Sequence, residues 1–339
     1  MSKILYRKLK TGLLTISIIL IATACKDSKR KIITTQIFPI HIERFDRHLP
    51  EYVSSEDSVF RDNFRKKYSP FFSLYCQSIL KLSPETAPEY LPGLKRFVSD
   101  TAVKVLYADC ENEYSDMSDL ENNLSEAFGR YGAFFPEYKV PRILSHVSGL
   151  GVPVIIADSL ISVSIDNYLG SDYRLYKGLF YDYELKSKIR RQIPLDIISA
   201  VIYTEEPFRK ENATLLDHIV YEGAVIYLLE QIFPDKKEED LLGFSQEQLN
   251  WCRKNESKIW NKMVREKHLF SGDMLLQNKY LNPAPFTSPL TAESPGRTGR
   301  WIGYQLVKAY LRNVPEANIT DIIRQDMANT VLKQSKYKG

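Results

Sequence analysis

Residues 214–234 read TLLDHIVYEGAVIYLLEQIFP, and the rest of the chain is organised around them. At about 100° per residue, Leu215, Ile219, Ile226 and Leu229 fall along one side. Val220, Ala224, Tyr227, Leu228 and Ile232 cover much of the remainder. A helix that is apolar nearly all round is a buried helix. Asn212 or Thr214 is placed to cap its start, and Pro234 ends it. Glu222 stands at the centre of the most apolar side, with His218 one turn before it. A carboxylate in that position must be paired, hydrogen-bonded or protonated, because an isolated buried charge costs several kcal/mol or more. Two readings follow. Glu222 is either half of a structural ion pair or part of a site in which His218 and Glu222, at i and i+4, share a proton or a metal. Two ligands do not make a metal site, so no metal and no cofactor is expected.

Working outward, the partner for Glu222 is sought among arginines, whose guanidinium meets a carboxylate in bidentate fashion. The stretch SPGRTGRWIG at residues 294–303 offers Arg297 and Arg300 at the start of a further helix. Arg297 is the expected partner, against the alternative that both arginines are solvated. Lys-Ser/Thr does not follow the glycines, so this is no phosphate-binding P-loop. Gly303 is expected to permit close helix packing.

The first 24 residues do not belong to the fold. Lys3, Arg7, Lys8 and Lys10 precede an apolar run at 11–24 that is too short to span a bilayer. The run ends in Ala22-Thr23-Ala24-Cys25, which resembles a bacterial lipobox. The expectation is a signal peptide over 1–24, acylation of Cys25, a lipidated tether over 25–39, and one domain over 40–339. Lys26 after the cysteine favours the outer membrane over inner-membrane retention, by resemblance to other lipoproteins. The whole chain has 46 basic and 42 acidic side chains, and the four basic residues of the leader account for the excess. A balanced mature chain argues against nucleic acid as a partner. Cys76, Cys110 and Cys252 remain, an odd number without CxxC spacing, and read as buried small hydrophobes.

Residues 40–46, IHIERFD, alternate as a short first strand. From 55 to 137 the pattern is helical, with an aromatic stripe through Phe60, Phe64, Tyr68, Phe71, Phe72, Tyr75 and Ile79 that suits helix packing. Residues 140–168 are the one clear β region. Runs at 142–146 and 153–157 are followed by Ile161, Val163 and Ile165 alternating with Ser162, Ser164 and Asp166, a hairpin with one buried face. Helices are expected at 189–203 and, as a pair, over 243–268, with a long loop at 275–293. The fold class is α+β, predominantly helical with one small sheet.

IERFD at 42–46, DNYLG at 166–170, YEG at 221–223, W-x8-W at 251–260 and SPGRTGRWIG occur in this order behind the lipobox. Together they resemble the GldB family of gliding-motility lipoproteins of Bacteroidetes. The resemblance implies an outer-membrane lipoprotein that serves the gliding machinery and type IX secretion through other envelope proteins. A second, more distant likeness is to zincin-type metallopeptidases, in which DHIVYEG (217–223) would place Glu222 as the third metal ligand. No HExxH occurs, and 189–203 contains no histidine, so the likeness implies a degenerate zincin-like scaffold. A non-enzymatic envelope lipoprotein is therefore expected. The alternatives are a peptidase-like hydrolase or a peptide-binding module around Glu222.

Overall fold

The computed structural model describes residues 38–84, 86–157 and 160–339, and residues 35–339 form one compact unit. The leader, Cys25 and most of the tether lie outside the described residues.

Strand β1 (Ile42–Arg44) leads directly into helix α1 (Phe45–Ser54), so the expected first strand is shorter at both ends. Helix α2 (Ser58–Tyr68) follows, capped by Asp57, whose carboxylate accepts the Val59 amide at 2.8 Å. The aromatic stripe is core packing. Phe45 meets Phe71 edge-on at 5.0 Å, and Tyr52 stacks on Phe64 at 4.5 Å. Helix α3 (Ser118–Phe134) brings Leu120, Leu124 and Phe128 to a second, larger core.

The sheet has the order β1-β2-β4-β3, where β2 is Arg142–His146, β3 Val154–Ala157 and β4 Leu160–Ser164. β1/β2 and β2/β4 are parallel, while β3/β4 is the expected antiparallel hairpin. Ile143, Ile161 and Val163 join the large core, whereas Leu144 and Leu160 join the aromatic one. Every residue of β4 is buried. The expectation of one buried face is corrected here: the aromatic lobe covers what alternation alone reads as a solvent face.

Helices α4 (Ile193–Glu205), α5 (Leu215–Ile232), α6 (Gln246–Arg265), α7 (Met274–Leu281) and α8 (Thr298–Asn313) build the rest, with α9 (Ile319–Arg324) and α10 (Ala328–Ser335) closing the chain. α6 is one long helix behind a five-residue helix at Glu238–Leu242, and α7 occupies part of the expected loop. The loop expectation failed because Asp273 caps α7, accepting the Leu275 amide at 2.9 Å.

α5 is the buried centre. Thr214 and Asp217 form a capping box at its start, and residues on all its sides are buried. Its closest neighbour is α8. A Cβ on Gly303 would lie 1.6 Å from the Ile219 carbonyl oxygen, and one on Gly223 would lie 2.1 Å from the Gly303 carbonyl carbon. The two backbones touch, and only glycine at both positions allows it. That contact sets α5 against the start of α8, where Arg300 lies in the first turn and Arg297 just before it.

Candidate functional site

Glu222 lies midway along α5, on the side facing α4 and α8. Its side chain is 21% exposed, so it sits at the edge of the core and not at its centre. The Tyr203 hydroxyl, near the end of α4, donates to Glu222 Oε2 at 2.7 Å. Arg300, in the first turn of α8, places Nε 2.8 Å from the same oxygen, and its Nη2 donates to the Tyr203 hydroxyl oxygen at 3.2 Å. The Nε–H is not aimed along its contact, so Arg300 acts on Glu222 as an ion-pair partner more than as a directed donor. Burial and the neighbouring carboxylate both hold the Tyr203 phenol well above its usual pKa, so it stays a donor. Three helices are thus tied together through one carboxylate oxygen.

The expected partner was Arg297, and the structure corrects this. Arg297 sits just before α8 in the left-handed region, with φ +60°. That conformation turns its side chain towards Gly243, where Nη2 would lie 3.2 Å from an added Cβ. Arg300 has helical dihedrals and projects from the helix towards α5. Among the described residues the Arg297 side chain forms no hydrogen bond and no ion pair. Burial, and then repulsion from Arg300, lower its pKa to about 10.

His218 also fails to join Glu222. Its ring packs on Phe208 at 4.4 Å between centroids, and burial lowers its pKa. No hydrogen bond joins the two side chains. Among the described residues no three His, Cys, Asp or Glu side chains gather closely enough to hold a metal. Cys76, Cys110 and Cys252 are buried free thiols. A cleft of about 520 Å³ opens nearby between the segment 205–210 and α9. Of its cations, Lys210 is engaged with Asp217 and Asp326 and Arg324 with Glu206 and Glu137, while Arg209 makes no ion pair among the described residues.

The sequence reading missed a second polar cluster, beneath the sheet. Asp166 is fully buried and accepts the Leu150 amide at 2.7 Å, the Ser148 amide at 3.2 Å and the Ser164 hydroxyl. With the Ser164 proton on Asp166, the Ser148 hydroxyl donates to Ser164 Oγ at 2.6 Å. His146 Nδ1 is 2.6 Å from Ser162 Oγ, and burial brings the His146 pKa down to about 3, so the ring is neutral. Small hydroxyls alternating with isoleucine and valine, in place of long charged chains, were the signal available in residues 161–166.

The other motifs have structural work of the same kind. Within IERFD, Glu43 receives a two-pronged pair from Arg142 across β1/β2, at 2.8 Å on each side. Arg44 pairs with Asp46 at 2.6 Å, and Ser145 donates to Asp46 at 2.5 Å. Within DNYLG, the Tyr168 hydroxyl donates to the partly buried Asp196 at 2.8 Å, and Asn167 accepts from Lys188 at 3.0 Å. Trp260 meets Tyr337 edge-on at 4.9 Å.

Compared with known proteins, residues 26–339 match the profile of a family described as gliding motility protein GldB. No curated protein and no solved structure matches the chain.

Proposed function

The chain belongs to the GldB family of gliding-motility lipoproteins, and we propose that it is a non-enzymatic component or accessory of the gliding and type IX secretion apparatus. In this reading Cys25 carries the lipid that anchors it to the outer membrane, and the folded domain works by binding other envelope proteins. The observation that carries the reading is the engagement of Glu222. The one acid placed to act as a base or ligand on the central helix is held by Tyr203 and Arg300, in a clamp that joins α4, α5 and α8. Both contacts fall on Oε2, and they fix the side chain between the three helices as a structural clamp does.

Metal analysis and crosslinking test this. Purified mature protein is expected to bind no stoichiometric zinc, and crosslinking in cells is expected to join it to defined envelope proteins of the motility apparatus. Zinc at one equivalent, lost in Glu222→Ala, would establish the peptidase-like alternative instead. Absence of any envelope partner would remove the interaction reading.

A peptide-binding module is the second reading, favoured by one feature. The Arg297 side chain is partly buried and makes no hydrogen bond or ion pair among the described residues, beside a second arginine. A peptide carboxylate would complete it. Acidic-ended peptides should then bind the wild type and not Arg297→Met; equal binding to both excludes this site.

A further inference from the structure

We propose that the end of α6 and the start of α7 form a membrane-docking surface, which seats the domain on an anionic phospholipid bilayer independently of any acyl chain. Four of the nine exposed large apolar side chains among the described residues fall within residues 264–275: Val264, Phe270, Met274 and Leu275. Phe270 is 59% exposed, Met274 70% and Leu275 71%. Isolated exposed apolar residues are ordinary, but a cluster of large ones marks a surface that meets something apolar.

The cluster is held rigidly outward. The Ser271 carbonyl accepts the Leu215 amide at 3.0 Å, which ties the turn to the start of the central helix. Gln277 donates to the Ala213 carbonyl at 2.8 Å, while Leu269 and Tyr280 are buried beneath. Phe270, Met274 and Leu275 therefore project from a fixed knuckle that cannot fold back onto the core.

The charge around the knuckle selects the occupant. Lys254, Lys258, Lys262 and Arg265 recur at spacings of four, four and three, within one face of α6. Lys267 and Lys279 flank the knuckle itself. Among the described residues Lys254, Lys258, Arg265, Lys267 and Lys279 make no ion pair. Of the nearby acids, Glu266 is paired with Lys262 and His268, while Asp273, which caps α7, and Glu256, held by the Tyr337 hydroxyl, keep their charge and are outnumbered by the five unpaired cations. Unpaired lysines beside exposed aromatic and aliphatic side chains are the makeup of an interfacial membrane contact. A protein interface of comparable size is depleted in lysine.

The test uses the unacylated mature chain, residues 26–339, which keeps every described residue. It is sedimented with vesicles of phosphatidylcholine alone and with vesicles containing about one-third phosphatidylglycerol, a proportion chosen to supply the negative surface. Binding is expected to be about tenfold stronger on the anionic vesicles and to weaken as salt is raised. The triple variant Phe270→Ser, Met274→Ser, Leu275→Ser should lose about tenfold in binding. All three side chains are exposed, so its thermal melt should match the wild type and separate lost docking from lost folding. Replacing Lys254, Lys258 and Lys267 by Glu should abolish the preference for anionic lipid. No binding to anionic vesicles, or binding unchanged in the apolar triple variant, overturns the proposal and leaves the knuckle to a protein partner.

Discussion

Glu222 and Asp166 are both carboxylates set against hydrophobic core, and the protein handles them by different means. Glu222 keeps its side chain partly in water and is balanced by a guanidinium and a phenol. Asp166 is fully buried, has no cation against it, and is held by two backbone amides and a serine hydroxyl. Burial raises the pKa of Asp166 in spite of those donors. The first arrangement ties helices together from the side. The second stitches the loop after β2 onto the end of β4 from within, where each donor would otherwise be a buried orphan. A partly exposed ion pair is worth less than a saturated buried network, and the comparison is broken or sharpened by the following substitutions.

The largest effect is expected at Asp166. Asp166→Ala should cost about 4 kcal/mol in urea denaturation, since it strands the Ser148 and Leu150 amides and the Ser164 hydroxyl together. The pH dependence carries a definite sign. A folded pKa raised above the unfolded value means that the contribution of Asp166 is present below the ordinary carboxylate range and is lost as pH rises through the raised value. The stability of the wild type minus that of Asp166→Asn should therefore be greatest in acid and decline towards neutrality. A difference that grows with pH would mean that the amides and Ser164 outweigh burial.

Glu222→Ala is expected to cost less, about 2 kcal/mol, because the Glu222 side chain is already 21% exposed and Arg300 keeps the Tyr203 hydroxyl as a partner. A loss exceeding that of Asp166→Ala would reverse the ranking of the two sites. Arg297 should give the smallest change, and in the opposite direction. Arg297→Met removes a desolvated cation that makes no ion pair among the described residues and keeps the bulk of the side chain, so stability should rise by up to about 1 kcal/mol. A clear loss would show that the guanidinium has a partner within the fold.

The same pair of acids explains what was legible beforehand. Glu222 stood out because a charge on a helix otherwise apolar all round violates a pattern with a period of 3.6 residues. Asp166 did not, because in a strand the polar half of an alternating pattern is the same whether it faces water or a second core. Ser162 and Ser164 looked solvated until the aromatic lobe of α1 and α2 was placed over them. The membrane-facing knuckle was hidden for a related reason. Residues 275–293 read as loop through their prolines, and the exposure of Phe270, Met274 and Leu275 exists only once α7 has turned its other side inward.

The arginine assignment marks the limit of spacing arguments. Arg297 and Arg300 are both within reach of α5 in the sequence, and which of them turns to Glu222 depends on a single backbone torsion. Arg297 adopts a left-handed φ at the tight turn, while Arg300 is already helical.

Sequence alone determined the buried helix at the centre, Gly303 as a point of close helix packing, the small sheet within a mostly helical fold, and the family. Each of these rests on local periodicity, on the absence of a side chain, or on residues close together in the chain. Tertiary structure decided which arginine meets Glu222, that both sheet faces are covered, and which apolar side chains remain outside. Those outcomes depend on which surfaces distant segments cover, and periodicity within one segment carries no information about what lies against it.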